Sequence, residues 1–234
     1  MSSTALVLVH DPEASRRERI PGALLPAFAA RDIRHRLFSF ASAESTVPDF
    51  GAYDLLVVMG SNESVNDPSV PWLVPELDFV TAAVGSGLPT IGICFGAQLL
   101  ARGLGGEVAP AERPERGYTT VTTDDPHLVA PGPWMQLHAD SFTVPPGAKE
   151  IARNESGPQA FVSGSVLGVQ FHPEATVDSF SSWTERWAAL GSSPVAGDGG
   201  VDAEALRHAI AEHEGTTIRA CDQLVGTFCT RHLR

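Results

Sequence analysis

Cysteine is scarce in this chain, with three in 234 residues, and positions 94, 221 and 229 do not make a disulfide framework. Cys221 and Cys229 fall in a stretch that reads as helix, where their spacing puts them about 12 Å apart along the axis, too far to bridge. No C-x-x-C spacing marks a zinc site, so no metal is expected. Basic side chains are also few: 16 Lys and Arg against 28 Asp and Glu leave a net charge of −12, which excludes the basic face of a nucleic-acid binder. No apolar run approaches the ~20 residues that span a bilayer, and Met1-Ser2-Ser3-Thr4 lacks the basic-then-apolar start of a signal peptide. A nucleotide loop is missing too, because Gly103-Leu-Gly-Gly106 follows a helix instead of a strand and has no lysine. What is present is 43% hydrophobic and 19% charged, too apolar for a disordered chain and long enough for one large domain, or one domain plus an appendage. The expectation is a soluble, acidic, cytoplasmic globular protein with no cofactor, no nucleic acid and no membrane among its partners.

Short apolar runs alternate with helical stretches through the first half. Ala5 to Val9, Arg34 to Phe40, Leu55 to Met59 and Pro89 to Cys94 read as strands, and Trp72 to Val84 and Gly96 to Arg102 as helices. Residues 15 to 30 read as a short or broken helix because of Pro21 and Pro26. From about 108 to 172 the pattern turns to short strands between Pro and Gly turns: Tyr118 to Thr123, Met135 to Leu137, Ile151 to Asn154, Gln159 to Val162 and Val166 to Phe171. This predicts an α/β fold, an open, mostly parallel sheet flanked by helices, with antiparallel extension strands and a C-terminal helical tail. Val177, Phe180, Trp183, Trp187 and Leu190 share one helical stripe, and Trp183 and Trp187 are expected to be core packing. Gly191 to Gly200 reads as a linker, Asp202 as the N-cap of a helix to about Glu214, and Thr216 or Thr217 as the start of another. Residues 1–190 are thus read as the chemical domain, and 191–234 as a linker and C-terminal helical extension.

Gly92-Ile93-Cys94-Phe95-Gly96 stands between an apolar strand and a helix. A nucleophile on such a turn is forced into a tight conformation, and the flanking glycines relieve the crowding. The helix that follows points its first amides at the sulfur, which favours the thiolate. In Gly168-Val-Gln-Phe-His172-Pro173-Glu174 a strand ends at Phe171, and His172 and Glu174, two apart in extended chain, project to one side. Such a histidine can take a thiol proton and deliver it to a leaving amine, while the carboxylate fixes its tautomer.

Together, Gly92-Ile-Cys-Phe-Gly-Ala-Gln98 and Gly168-Val-Gln-Phe-His-Pro-Glu174 resemble the class I, triad-type glutamine amidotransferase domain, in the family's order, with similarity from about residue 50 to 175. The resemblance implies a Cys94–His172–Glu174 triad that releases ammonia from the glutamine side-chain amide through a γ-glutamyl thioester. It also implies an oxyanion site at Gly60-Ser61 and the amide of Phe95. Here the chain departs from the family pattern: Ser61 stands where a second glycine is usual and Asn62 replaces a proline. Gln98 matches the family glutamine that contacts substrate. Leu137 to Phe142 resembles the segment receiving the substrate's α-amino and carboxyl ends, with His138 and Asp140 as binding residues and Asp140 suited to an α-ammonium.

The remaining features are read as structural. Glu112, Arg113 and Arg116 lie in a Pro-rich stretch expected to be a solvated loop, Cys221 and Cys229 are expected to be buried apolar positions, and His208 and His213 are badly spaced to share a metal. The chain has no room for an ATP-using synthetase domain. The expected substrate is therefore glutamine or another γ-glutamyl small molecule, cleaved either by a stand-alone hydrolase or by the amidotransferase subunit of a separate synthetase or acceptor enzyme. The alternative is a non-catalytic or redox-sensing binding protein on the same scaffold. The altered oxyanion turn favours that alternative; the intact histidine and glutamate oppose it.

Overall fold

A computed structural model describes residues 3–42, 46–191 and 202–233. The apolar runs of the first half form strands β1 (Thr4–Leu8), β2 (Arg34–Phe38), β3 (Leu55–Val58) and β4 (Thr90–Ile93). The second half supplies β5 (Val108–Thr119), β6 (Thr122–Thr123), β7 (Trp134–Phe142), β8 (Lys149–Asn154), β9 (Gly157–Ser163) and β10 (Val166–Val169). The helices are α1 (Ala14–Arg17), α2 (Leu24–Ala29), α3 (Leu73–Gly85), α4 (Phe95–Gly103), α5 (Val177–Leu190) and α6 (Ala203–His232).

Eight strands form one sheet in the order β2-β1-β3-β4-β10-β9-β8-β6. The run from β2 to β10 is parallel, and β9, β8 and β6 extend it antiparallel. Strands β5 and β7 pair antiparallel as a separate ribbon. This is the expected open, mostly parallel sheet with an antiparallel extension. Side chains alternate across it: Ala5, Val7 and Val9 pack beneath α2 and α6, whereas Leu6 and Leu8 face α3 and α4. Because helices cover both faces, β3, β4 and β10 are buried at every position instead of every second one. The carboxyl ends of β1, β3, β4 and β10 therefore open onto one rim, the edge at which parallel sheets bind ligands.

Two expectations need correction. The C-terminal segment is one 30-residue helix, not two, although Asp202 does cap it by accepting from the Ala205 amide at 2.9 Å. Gly215 inside a helix costs about 1 kcal/mol. Leu224 and Phe228, both buried against α2 and the sheet, each contribute about 1.5–3 kcal/mol, so packing wins. Arg31 fastens the same helix, pairing with the Asp222 carboxylate and donating to its carbonyl at 2.9 Å. Second, the Pro-rich stretch around Arg113 is part of β5 and not a loop, although Glu112, Arg113 and Arg116 are solvated as expected; a bulge between Pro110 and Glu115 absorbs its irregularity. Cys221 and Cys229 are buried and free, and burial pushes the Cys229 thiol up to about 11. Of the segment read as a linker, Gly191 caps α5 and residues 192–200 lie outside the described residues.

Candidate active site

Cys94 joins β4 to α4 with φ 51° and ψ −108°, a conformation costing on the order of 1–3 kcal/mol for a residue with a side chain. Both glycines of the turn are required by contact. A Cβ on Gly92 would lie 2.6 Å from the Gly96 carbonyl, and one on Gly96 would lie 2.1 Å from the Val58 carbonyl oxygen. The Cys94 amide donates to Val169 of β10 at 2.8 Å, which ties the elbow to the strand that carries the histidine. Its sulfur receives the Gln170 side-chain amide at 3.7 Å and reaches the Leu137 carbonyl at 3.9 Å. The first amides of α4, left without intrahelical acceptors, begin at this point.

His172 follows the end of β10, and its amide donates to Met135 of β7 at 2.8 Å. Its Nδ1 meets Glu174 Oε1 at 2.8 Å, while Nε2 is buried with no hydrogen-bond partner among the described residues. Burial alone would lower this imidazole's pKa. The charge of Glu174, then the charge and direct side-chain interaction of Cys94, outweigh burial and hold the pKa well above the usual histidine value. The carbonyl of Glu174 accepts from Ala23 at 3.0 Å, and the Trp183 ring tilts against the imidazole at 4.9 Å. Cysteine, imidazole and carboxylate thus converge on one wall of a cavity of about 220 Å³.

Gly60, Ser61 and Phe95 line the same cavity. The two departures from the family turn have partners. Ser61 Oγ donates to Glu63, which in turn receives Arg186 of α5 at 3.4 Å, and Asn62 Oδ1 accepts from Trp187 Nε1 at 3.1 Å. The turn is tied to α5 by side chains where a proline would have stiffened it.

Gln98, His138 and Asp140 line the cavity as well. Gln98 is buried and donates to the Asp140 carbonyl at 3.1 Å and to Gln170 at 3.3 Å. His138 has both ring nitrogens engaged, Nδ1 by the Asp140 carbonyl at 3.0 Å and Nε2 by Glu115 at 3.1 Å. The Asp140 carboxylate receives the Ser64 hydroxyl. Burial pushes Glu115 up, but hydrogen bonds from His138, Asn154 and Gln159 prevail and hold its carboxyl below the usual range. No group of three or more His, Cys, Asp or Glu is placed to hold a metal among the described residues.

Sequence reasoning missed several of these groups. Trp183 and Trp187 pack in a hydrophobic cluster with Phe180 as expected, but together with Arg186 they also line the cavity, a second role for which an arginine between two tryptophans was the available hint. Glu115 was hidden in a stretch that looks solvated. His10 and Glu76, which meet at 2.7 Å, gave no local sign at all.

A family model for the class-I glutamine amidotransferases matches residues 22–186. The chain is 38% identical over 127 residues to a glutamine-hydrolyzing GMP synthase of Thermomicrobium roseum, and 40% identical over 128 residues to that of Thermus thermophilus. Each alignment takes in 51% of this chain but only 23% and 24% of the relatives, so the chain spans about a quarter of their length. The crystal structure of a glutamine amidotransferase from Thermotoga maritima superposes with a TM-score of 0.82 at 21% identity, covering 97% of this chain and 98% of that one. One from Methylobacillus flagellatus gives 0.80 at 22% identity, covering 100% and 96%. These two likenesses show the fold. With more than half of its residues matched by the family model, the chain belongs to the class-I glutamine amidotransferase family.

Proposed function

We propose that this chain hydrolyses the side-chain amide of glutamine, or of a related γ-glutamyl amide, through a γ-glutamyl thioester on Cys94. The observation that carries this is the buried His172, held by Glu174 at 2.8 Å with Nε2 left free beside the Cys94 elbow. The sulfur attacks the amide carbonyl, and the electron pair of the C=O bond moves to oxygen, where the amides of Ser61 or Gly60 and of Phe95 receive it. His172 takes the thiol proton and passes it to the nitrogen as the C–N bond breaks and ammonia or an amine leaves. Water, deprotonated by His172, then adds to the thioester, and glutamate departs as the sulfur recovers its proton. Asp140 suits the α-ammonium of the substrate, with Gln98 and His138 shaping the wall around it. All of these groups fall within 1–190, which we take as the amidotransferase domain; 191–234 is the linker and helical extension, with α6 as packing.

The ties from α5 to the oxyanion turn favour activity without a partner. The test is to incubate the isolated chain with glutamine and a panel of N-substituted γ-glutamyl amides, scoring free glutamate and released ammonia or amine. Turnover by the isolated chain supports a stand-alone hydrolase. Ammonia release only after addition of a synthetase assigns the chain to a two-protein system. No turnover in either setting, with no labelling of Cys94 by a diazo-ketone analogue of glutamine, overturns the reading in favour of a redox-sensing binding protein.

Glu174→Gln should be slower by roughly 10⁴-fold, less than the ~10⁶ that loss of the nucleophile costs in another hydrolase, because the amide oxygen can still accept from Nδ1. Removing the Glu174 charge also removes the main influence that raises the His172 pKa. The limb of the kcat/KM profile that His172 governs should therefore move to lower pH, and a profile identical to wild type would contradict the pairing.

A further inference from the structure

A second histidine–carboxylate pair lies behind the oxyanion turn. His10, just beyond the end of β1, places Nδ1 at 2.9 Å from the Gly60 carbonyl and Nε2 at 2.7 Å from Glu76 Oε1 of α3. Both side chains are buried, at 1% and 0% exposure. A carbonyl can only accept, so Nδ1 is the donor. The 2.7 Å contact at the other nitrogen holds a further proton between the ring and Glu76. Burial works against a charge on the ring, while Glu76, the Gly60 carbonyl and the more distant Glu63 support it, and together they raise the ring's pKa. Burying an ion pair generally stabilises a fold no more than apolar packing would. What apolar packing could not supply here is direction.

We propose that His10, backed by Glu76, is a positioning residue for amide hydrolysis: by holding the Gly60 carbonyl it orients the Gly60–Ser61 peptide so that the Ser61 N–H faces the acyl oxygen above Cys94. The peptide unit is planar and trans, so its C=O and N–H point in opposite directions and fixing one fixes the other. Gly60 is at the reacting centre, since a Cβ built on it would stand 3.1 Å from His172 Cε1 and 3.8 Å from Cys94 Cβ. The same imidazole stacks on Trp72 at 5.0 Å and meets the edge of Phe95 at 4.8 Å. Phe95 carries the other oxyanion amide, so His10 contacts both residues of that site. The inference rests on the hydrolase reading above.

The test compares His10→Phe and His10→Asn in the full chain, with circular dichroism and thermal melts as the check on folding. Phenylalanine fills the space without a donor, and kcat should fall about 10²-fold with KM nearly unchanged, because the oxyanion exists only in the transition state. Asparagine places an amide N–H where Nδ1 stood and should recover at least tenfold over phenylalanine. Binding of glutamate γ-semialdehyde should weaken in parallel with kcat, since the Cys94 thiol adds to its aldehyde and the carbonyl oxygen becomes a hydroxyl in the same site. If His10→Phe fails to fold, His10→Leu replaces it. Leucine likewise has no donor for the Gly60 carbonyl, and kcat should fall about as far. A folded His10→Phe or His10→Leu with wild-type kcat, or an asparagine variant no better than the apolar one, would overturn the proposal. An inactive wild type would instead count against the hydrolase reading.

Discussion

Cys94→Ala should lower glutamine hydrolysis by at least ~10⁴-fold while the protein still folds. Removing the nucleophile in an enzyme that works through a covalent intermediate leaves only the binding and oxyanion contributions, and in another hydrolase it costs on the order of 10⁶ in kcat. The fold should hardly change. Alanine keeps the Cβ that the φ 51° conformation already accommodates, and the sulfur's protein hydrogen bonds are long ones, at 3.7 and 3.9 Å. The expected loss of stability is about 1 kcal/mol or less, a shift of roughly 2–4 °C in Tm for a chain of this size. Ammonia and glutamate release, read beside a thermal melt, separates the two effects. A Cys94→Ala protein that turned over at the wild-type rate would remove Cys94 from the chemistry.

The largest structural effect belongs to Gly96→Ala. The added methyl would stand 2.1 Å from the Val58 carbonyl oxygen and 2.7 Å from its carbon, inside the backbone of β3. Neither atom is the flexible end of a side chain, so α4 would have to lift from the sheet. Overpacking a core costs about 1–3 kcal/mol where side chains can adjust, and more where backbone must move. A loss above about 3 kcal/mol is expected, seen as insoluble expression or a Tm lowered by roughly 10 °C. Gly85→Ala, near the end of α3, is the control. Nothing lies within 4 Å of a Cβ there, so the same substitution should leave stability equal or raise it by about 0.5–1 kcal/mol. Equal melting temperatures for the two variants would show that the α4–β3 contact is looser than the distances state.

The two substitutions probe what was legible in the primary structure. The elbow was readable because its requirement is local: glycine, cysteine and glycine between an apolar run and a helix former make sense only where a helix crosses closely over a strand. His172 and Glu174 were readable for a similar reason, being two positions apart on extended chain. Runs such as Leu55 to Met59 announced buried strands, because a parallel sheet covered on both faces needs apolar side chains at every position.

Other groups gave no such sign. Glu115 looks solvated in its Pro-rich surroundings, yet the bulge in β5 turns it inward to His138. The stripe of Trp183 and Trp187 has the spacing of core packing, and spacing does not say whether a helix faces a core or a cavity. Gly215 and Thr216 carry the propensities of a break, which the buried face of α6 overrides.

By itself, then, the sequence determined the central strands, the elbow and the spacing of the cysteine, imidazole and carboxylate proposed as nucleophile, base and orienting group, because each depends on neighbours within a few residues. Only the tertiary structure decided that β1, β3, β4 and β10 lie side by side and so bring His10, Gly60, Cys94 and His172 to one rim. Those meetings depend on strand order, set by crossovers and by which helices cover which face, and no short-range periodicity encodes that order.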